Sequence, residues 1–340
     1  MKAIVVHEHG DADKLILEDR PDPEPGPGEV VVSVRACALN HLDLWMRRGI
    51  PGVKLPRIPG ADISGVVAQI GPGVEGLRTG DRVYLSPGVG CGKCPLCLSG
   101  RDNMCAAYDF FGVQRDGGYA ESVLAPAHRA FPIPGDLSFD EAAAFPLVFL
   151  TAWHMLITRA GIRPGEDVLI MAAGSGVGTS AIQVARLAGA RVIAAAGSDE
   201  KLSKARELGA DEGVNYETQD LVAEIRQLTD RKGVDVVIEH TGAQRWEAII
   251  RCMATGGRLV TCGATSGAKA DLDLRHLFAR QLNLLGSFMG RRTELPQVAR
   301  LVGERILRPI IDRALPLSEA REAHRLIERR EQFGKVLLHP

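Results

Sequence analysis

The stretch Ala172-Ala-Gly-Ser-Gly-Val-Gly178 follows an apolar run, Val168–Ala172, and precedes apolar side chains that recur at helical spacing as far as Ala188. The run suits a strand buried on both faces, and the spacing predicts a helix over Val177–Ala188. The alternation continues with strands at Arg191–Ala196, Val234–Ile238 and Arg258–Cys262, and with helices at Glu200–Leu208 and Arg245–Met253. Strand–helix–strand units of this length predict a doubly wound parallel sheet.

Glycines between the first strand and the first helix let the backbone approach a pyrophosphate, whose charge is favoured at the helix N-terminus. Against the pattern G-x-G-x-x-G, the residues from Ala173 to Gly178 have alanine and serine at the first two glycine positions. A tight turn without a ligand is the alternative. Because the following units continue the alternation, we expect a dinucleotide site. Its predicted residues are Gly174, Ser175, Gly176, Val177 and Gly178.

The end of the second strand indicates which dinucleotide binds. NAD sites usually have an acidic residue there for the ribose hydroxyls, whereas this strand ends in alanines followed by Gly197 and Ser198. The turn leaves room for a 2′-phosphate, and Lys201 on the next helix supplies a counter-charge. Asp199 and Glu200 fall in the first helical turn, where acidic residues stabilise the helix. We therefore predict NADP(H), with a solvated Lys201 as the alternative.

Four cysteines lie within 15 residues in the pattern C-x2-C-x2-C-x7-C. Thiolates at this spacing, separated by glycine and proline turns, can surround one tetrahedral Zn²⁺. The alternatives are disulfides, which a reducing compartment disfavours, and an iron–sulfur cluster. Four protein ligands leave no position for water or substrate, so a structural Zn²⁺ is predicted. The ligands would be Cys91, Cys94, Cys97 and Cys105, while Cys37, Cys252 and Cys262 suit buried apolar positions.

The 340 residues carry a formal net charge of −1, with 45% hydrophobic and 24% charged residues. This composition is typical of a soluble globular protein with about two domains. The charge balance argues against nucleic-acid binding. The longest apolar stretch, Ala142–Trp153, contains Pro146 and is shorter than the roughly 20 residues of a membrane span. We expect a cytoplasmic protein with neither a nucleic-acid nor a membrane partner.

The region before the glycine loop predicts short strands separated by proline and glycine turns, at Val30–Val34, Ile63–Ile70 and Arg82–Leu85. The last 50 residues show no assignable pattern. Motifs nevertheless cover nearly the whole chain: Pro25-Gly-Pro-Gly-Glu-Val30, Pro59-Gly-Ala-Asp-Ile-Ser-Gly65, Gly80-Asp-Arg-Val83, the four cysteines and the glycine loop.

Together these motifs resemble the medium-chain dehydrogenase/reductase superfamily, which includes zinc alcohol dehydrogenases and quinone oxidoreductases. The resemblance implies an α/β protein with a GroES-like β-barrel domain and a doubly wound Rossmann parallel sheet. The first domain would cover residues 1–150, with the zinc lobe at about 88–106. The NADP(H)-binding Rossmann domain would cover 151–288, and 289–340 would return to the first domain.

In the zinc alcohol dehydrogenases a catalytic zinc is held by a cysteine, a histidine and a third ligand. By resemblance, the corresponding positions here hold Asn40 and Ala61, and the third region, Pro146–Thr151, has no Cys, His, Asp or Glu. Leu42 replaces the residue that relays the alcohol proton. A Lewis-acid role needs these ligands, so the resemblance favours the quinone oxidoreductase and enone reductase branch, which has no catalytic metal.

That branch implies catalytic roles for Asn40, Asp43 and Thr151, which would line a cleft between the domains. Tyr216 would lie by the 2′-phosphate, and Gly263 and Ser287 would also contact the cofactor. The structural alternatives are that Asn40 caps a helix, that Asp43 pairs with an arginine such as Arg47, and that Thr151 begins a helix. His240, at the end of the strand Val234–Glu239, could reach the cofactor, but the favoured interpretation is a strand-end histidine with satisfied hydrogen bonds.

The leading hypothesis is an NADPH-dependent reductase of a small quinone or α,β-unsaturated carbonyl substrate. The alternatives are an alcohol dehydrogenase or carbonyl reductase with an atypical site, and a non-catalytic cofactor-binding protein. The resemblance also implies a homodimer or homotetramer that pairs through an edge strand near Asn283–Phe288.

Overall fold

The computed structural model describes every residue from Met1 to Pro340. The chain forms two compact units. Unit 1 consists of Met1–Leu147 together with Arg291–Pro340, and unit 2 consists of Val148–Gly290. None of the helices has the length and apolar character needed to cross a membrane.

The first segment of unit 1 contains most of its strands. They are β1 (Lys2–Val5), β2 (Ile16–Asp19), β3 (Glu29–Ala38), β4 (Asp62–Ile70), β5 (Arg82–Leu85), β6 (Gly88–Val89), β7 (Asp109–Phe110), β8 (Ser122–Pro126) and β9 (Ala130–Pro132). Its helices are α1 (His41–Gly49), α2 (Pro95–Leu98) and α3 (Phe139–Ala144). Helix α4 (Pro146–Trp153) spans the change of unit and continues as a π-helical segment, His154–Ala160.

Unit 2 alternates strands with helices. Its strands are β10 (Asp167–Ile170), β11 (Arg191–Ala196), β12 (Glu212–Asn215), β13 (Val234–Glu239), β14 (Met253–Thr261) and β15 (Asn283–Gly286). Its helices are α5 (Gly176–Leu187), α6 (Asp199–Glu207), α7 (Leu221–Leu228), α8 (Trp246–Cys252) and α9 (Leu274–Ala279). The chain then returns to unit 1 through α10 (Leu295–Gly303), β16 (Ile311–Pro316), α11 (Ala320–Glu328) and β17 (Lys335–His339).

The sheet of unit 2 is parallel throughout and has the strand order β12-β11-β10-β13-β14-β15. The apolar runs of its four central strands are buried, as expected when helices cover both faces of a parallel sheet. The order is that of a doubly wound dinucleotide-binding fold, in which the direction of winding reverses between β10 and β13. Ligands bind such sheets beyond the carboxyl ends of the strands at this switch point.

The main sheet of unit 1 has the order β16-β17-β3-β4-β5-β9, with β8 also paired to β3. Strand β17 lies antiparallel to the end of β3, with Leu338 opposite Cys37 and Leu337 opposite Ala38. Strand β4 begins on the other side of β3, with Asp62 opposite Ala38. Residues far apart in the sequence therefore meet at this end of the sheet.

Two predicted boundaries in unit 2 were wrong for identifiable reasons. The first strand ends at Ile170, two residues before the predicted Ala172, because Ala172 turns the chain with a left-handed φ of 46°. Met253 opens β14 and does not close the preceding helix, so this strand starts before the predicted Arg258. The short edge strand β12 and helix α7 had no clear sequence pattern.

Candidate functional site

The glycine loop connects β10 to the N-terminus of α5. Ser175 caps this helix, and its Oγ accepts the backbone N–H of Gly178 at 2.9 Å. A Cβ on Gly178 would lie 2.5 Å from the carbonyl oxygen of Ala172, so the loop requires glycine there. The helix N-terminus, which favours negative charge, therefore begins directly beyond a buried strand. This is the arrangement predicted for binding a pyrophosphate.

The end of β11 has no carboxylate available for ribose hydroxyls. Ala196 is the last residue of the strand, and Ser198 caps α6 by accepting the backbone N–H of Lys201 at 3.3 Å. Asp199 is the first acidic residue that follows. Its Oδ1 accepts the Nδ2–H of Asn215 at 2.8 Å, which ties this carboxylate to the last residue of β12.

Tyr216, which follows β12, lies beside the turn that follows β11. A Cβ on Gly197 would lie 3.4 Å from the Tyr216 ring. The guanidinium of Arg245 lies 4.4 Å from the centre of that ring and forms an ion pair with Glu217 at 2.7 Å. The structure thus brings together Gly197, Tyr216 and the cation of Arg245. Sequence reasoning missed Arg245, because nothing in a linear pattern links it to the end of β11.

The carboxyl ends of β13, β14 and β15 lie side by side. The buried carboxylate of Glu239 accepts the backbone N–H of Gly242 at 2.9 Å and the hydroxyl of Thr261 at 3.1 Å. A Cβ on Gly263 would lie 2.4 Å from the carbonyl oxygen of His240, so glycine allows the chain after β14 to approach β13. Ser287 follows β15, and its Oγ is buried without a hydrogen-bond partner.

The hydrogen bonding of His240 differs from what its sequence position predicted. Its Nε2 lies 2.8 Å from Ser175 Oγ, but its Nδ1 is buried and has no partner. The expectation of satisfied hydrogen bonds was therefore wrong. Burial lowers the pKa of His240 to about 4, so the ring is neutral at neutral pH. Unpaired buried groups at the carboxyl ends of parallel strands fit the binding of a polar ligand such as a dinucleotide.

The cysteine lobe brings its four predicted ligands together. All four sulfur atoms lie within 4.8 Å of one another, with 4.0 Å between Cys91 and Cys97 and 3.8 Å between Cys94 and Cys105. Zn–S bonds of about 2.3 Å in a tetrahedral site place the sulfur atoms about 3.8 Å apart. The donor set and its geometry therefore fit one Zn²⁺ that has no open position.

The backbone around the lobe also suits metal binding. A Cβ on Gly90 would lie 2.6 Å from Cys97 Sγ, so glycine is required beside the sulfur atoms. The backbone N–H groups of Lys93 and Cys94 donate to Cys91 and lower the pKa of its thiol to about 6. These donors favour the thiolate, which is the form that binds metal.

In unit 1, Asn40 belongs to a fully buried polar cluster. Its Oδ1 accepts the Nζ–H of Lys335 at 2.6 Å, and its Nδ2 donates to Asp62 Oδ2 at 3.0 Å and to the carbonyl oxygen of Ala38 at 3.3 Å. Lys335 also forms an ion pair with Asp62 Oδ2 at 3.1 Å. The other oxygen of Asp62 accepts the backbone N–H of Leu147 at 2.9 Å. Every hydrogen of the Asn40 amide is therefore engaged within the chain.

Asp43 holds two chain segments together. Its carboxylate accepts the backbone N–H of Asn40 at 2.8 Å and that of Gly60 at 3.1 Å. Burial raises the pKa of Asp43 to about 7, against the opposing effects of these N–H groups and of the Lys335 charge. The alternative that Asp43 pairs with Arg47 was wrong, because the Arg47 guanidinium forms its ion pair with Glu328.

A buried chain of hydrogen bonds approaches Asp43 from the other side. Arg47 lies 3.3 Å from His324 Nδ1, and His324 Nε2 lies 3.1 Å from the hydroxyl of Tyr119, which also interacts with Asp43. Burial and the neighbouring arginine charges lower the pKa of His324 to about 3. His324 is thus neutral, with Nδ1 accepting from Arg47 and Nε2 donating to Tyr119.

Asn40 is the N-cap residue of α1, as the structural alternative proposed. Thr151 does not begin a helix, because it lies buried within α4, which starts at Pro146. The substrate-contacting roles predicted for Asn40, Asp43 and Thr151 remain predictions. Sequence reasoning missed Lys335, His324 and Glu239, since no local motif marks them.

Family profiles match both parts of the chain. A zinc-binding dehydrogenase profile covers residues 176–304, and an alcohol dehydrogenase GroES-like domain profile covers residues 26–135. An NAD-dependent alcohol dehydrogenase from Sulfurisphaera tokodaii is 31% identical, with 96% of each chain covered. This chain belongs to the medium-chain dehydrogenase/reductase superfamily.

Two further similarities extend over the whole of this medium-chain dehydrogenase. A quinone oxidoreductase from Rattus norvegicus is 29% identical over 99% of this chain and 97% of its own. The crystal structure of an NAD-dependent alcohol dehydrogenase superposes with a TM-score of 0.97 at 51% identity, with 100% of both chains covered. The chain is therefore an NAD(P)-dependent oxidoreductase with the predicted GroES-like and Rossmann architecture.

Proposed function

We propose that this medium-chain dehydrogenase reduces quinones or α,β-unsaturated carbonyl compounds with NADPH, and that its single zinc ion is structural. Unit 2 binds the dinucleotide at the glycine loop, through the residues predicted above. The zinc ion stabilises the lobe formed by the four cysteines. The bound nicotinamide supplies the hydride.

The observation that carries this proposal is the cluster of Asn40, Asp62 and Lys335. By resemblance, Asn40 stands where zinc alcohol dehydrogenases have a cysteine ligand, and Ala61, with no ligand atom in its side chain, stands where they have a histidine. The Asp62 carboxylate is occupied by the Lys335 ammonium and the Asn40 amide. The cluster therefore disfavours a second metal ion, because it already contains the Lys335 ammonium and its ligand atoms are engaged.

Conjugate reduction suits such a site better than alcohol oxidation does. Alcohol oxidation requires loss of the hydroxyl proton, which a metal ion promotes by stabilising the oxyanion. Addition of hydride to the β-carbon of a conjugated carbonyl compound creates an enolate, in which the negative charge is delocalised. Hydrogen-bond donors in a site that excludes water can stabilise that charge without a metal.

The surroundings of β11 support NADPH over NADH. The strand ends at Ala196, and the following acidic residue, Asp199, is engaged by Asn215. Tyr216 and the Arg245 guanidinium lie beside the same turn. We propose that Lys201, Tyr216 and Arg245 bind the 2′-phosphate, since cations and donors of this kind pair with phosphate oxygens.

The central experiment combines zinc analysis with turnover measurements on the purified chain. We expect about one zinc per chain, oxidation of NADPH with a quinone or an enone, and no reduction of NADP⁺ by simple alcohols. Two zinc ions per chain, with alcohol oxidation that a chelator abolishes, would overturn the proposal. Tight NADPH binding without turnover of either substrate class would favour the non-catalytic alternative.

The cofactor preference has its own test in Lys201→Ala and Arg245→Met. Each variant should weaken NADPH binding by about tenfold or more, because a charge-assisted contact with the phosphate is lost. NADH, which lacks that phosphate, should bind as it does to the unaltered chain. Lys232→Ala, which changes an exposed lysine elsewhere in unit 2, is the matched control. Equal losses for both dinucleotides would refute the phosphate role.

A second candidate is the interconversion of alcohols and carbonyl compounds with NAD(H). The Sulfurisphaera relative and the superposed crystal structure, both NAD-dependent alcohol dehydrogenases, favour it. This candidate predicts turnover of an alcohol with NAD⁺ in the same assays. It also requires that a group other than a conventional zinc ion stabilise the alkoxide that forms when the alcohol loses its proton.

We further propose that the chain forms a homodimer or homotetramer through β15. This strand lies at the edge of its sheet and pairs on one side with β14. Leu274, Phe278 and Phe288 in the same region are 63%, 70% and 53% exposed. A free edge beside exposed apolar side chains is a site for association. Light scattering should give at least twice the mass of one chain, and Phe278→Glu should reduce it.

A further inference from the structure

His240 lies at the switch point of the parallel sheet. It follows β13, next to β10, whose loop opens α5. Its ring contacts the cap of that helix, with Nε2 2.8 Å from Ser175 Oγ. The other ring nitrogen, Nδ1, is shielded from solvent and has no hydrogen-bond partner. One side of the ring is thus fixed by the glycine loop, and the other is unsatisfied.

The hydrogen bonds of Ser175 determine which ring nitrogen carries the hydrogen. Ser175 Oγ accepts the backbone N–H of Gly178, and we assign its own hydroxyl hydrogen to His240 Nε2, the acceptor that lies 2.8 Å away. Nε2 is then the acceptor, and Nδ1 carries the hydrogen of the neutral ring. The unsatisfied group is therefore an N–H donor, which needs an acceptor from outside the chain.

The position of this donor points to a ligand. Unit 2 leaves two buried side-chain polar atoms without partners, His240 Nδ1 and Ser287 Oγ. Each follows the carboxyl end of a strand of the same parallel sheet, where such sheets bind their ligands. Buried donors are otherwise almost always paired. Two unsatisfied groups at that edge, and none elsewhere in the unit, indicate a polar ligand there.

We propose that His240 binds the dinucleotide, with its Nδ1–H donating to an acceptor oxygen of the cofactor while Nε2 holds the cap of α5. The inference rests on the proposed dinucleotide site at the glycine loop. It does not depend on which substrate is reduced or on the choice between NADPH and NADH. His240 then makes two contacts, one from Nε2 to Ser175 within the chain and one from Nδ1–H to the dinucleotide.

Three variants separate the two contacts. His240→Asn places an amide N–H near the position of Nδ1 and loses the contact with Ser175. His240→Gln places its amide near Nε2, so it retains Ser175 and loses the donor at Nδ1. His240→Phe keeps a ring and loses both. Dissociation constants for NADPH and NADH would be measured by protein fluorescence, and the thermal midpoint of each ligand-free variant would report folding.

We expect His240→Asn to bind within about threefold of the unaltered chain, and His240→Gln and His240→Phe to bind about tenfold more weakly. The ligand-free midpoint of His240→Phe should change little, because removal of an unsatisfied donor offsets the loss of the Ser175 hydrogen bond. Equal affinities in all variants would overturn the inference. So would weak binding by the Asn and Phe variants with normal binding by His240→Gln, since the Ser175 contact alone would then matter.

Nitrogen-15 NMR of histidine in the unaltered chain gives an independent test, which does not require any variant to fold. The ligand-free spectrum should show His240 protonated at Nδ1, and NADPH should shift that N–H downfield. Protonation at Nε2, or no shift with saturating NADPH, would overturn the inference. Failure of the unaltered chain to bind either dinucleotide would instead overturn the proposed cofactor site, and the inference with it.

Discussion

Replacing Lys335 by methionine tests the buried charge cluster of unit 1. The Lys335 and Asp62 side chains are 4% and 0% exposed, and their charged groups lie 3.1 Å apart. Methionine fills a similar volume without the ammonium. It would leave the Asp62 carboxylate buried with only neutral donors, and Asn40 Oδ1 without the donor that now lies at 2.6 Å.

The expected magnitude follows from the burial of both groups. Removing one member of a buried ion pair costs about 3–5 kcal/mol, because the remaining charge stays desolvated and unpaired. Asp62→Asn should cost a similar amount by leaving the ammonium alone. Lys335→Met combined with Asp62→Asn leaves no net charge in the cluster. The double variant should lose about 2–3 kcal/mol less unfolding free energy than the two single variants lose in sum.

The measurement is urea unfolding followed by circular dichroism, at one protein concentration for all variants. Lys204→Met is the matched control, because its ion pair with Glu200 lies on an exposed helix face, and it should change stability little. Additive costs of the two buried changes would refute the electrostatic reasoning. A cost for Lys335→Met no larger than that of the control would refute it as well.

Three further predictions concern the metal and the buried hydrogen bonds. Cys97→Ser should lower the zinc content from about one per chain towards zero, measured by mass spectrometry, whereas Cys262→Ala should leave it unchanged. The folded-state pKa of Asp43, about 7, lies above its usual 3.8, so its contribution to stability is present below about pH 4 and is lost as the pH rises through 7. Relative to Asp43→Asn, the unaltered chain should therefore lose stability over that range, by up to about 1.4 kcal/mol per pH unit in urea unfolding. Tyr119→Phe leaves His324 Nε2–H buried without an acceptor and should lower the free energy of unfolding by about 1–3 kcal/mol; an unchanged value would contradict the hydrogen bond between these two side chains.

The parts of the molecule that the sequence predicted are those in which neighbouring residues determine the structure. The strand before the glycine loop, the helix after it and the serine that caps this helix are contiguous. The four cysteines lie within one short segment, so their spacing alone defines a metal site. In both places local geometry and local chemistry agree, and a linear pattern is sufficient to identify them.

The charge cluster could not be predicted in this way. Lys335 lies 295 residues from Asn40 and 273 from Asp62. The three meet because β3, β4 and β17 are neighbours, and the pairing of β17 with the end of β3 sets the register. The last 50 residues showed no helical or strand periodicity that would place β17 there. Arg245 escaped notice for the same reason, since its partners Tyr216 and Glu217 follow β12, and the contact of His240 with Ser175 likewise joins segments that are distant in sequence.

The proposal that unit 1 holds no catalytic zinc rests on the charge of Lys335 as much as on the missing ligands. A buried Asp62 without a counter-charge would be strongly destabilising. In this chain the counter-charge is Lys335, which the fold itself supplies through β17. The same ammonium repels a divalent cation from the Asp62 carboxylate and engages the one Asn40 oxygen that could serve as a ligand. Asn40→Cys combined with Ala61→His would therefore place the new side chains beside a positive charge, and we expect this variant to bind a second zinc ion poorly unless Lys335 is also replaced.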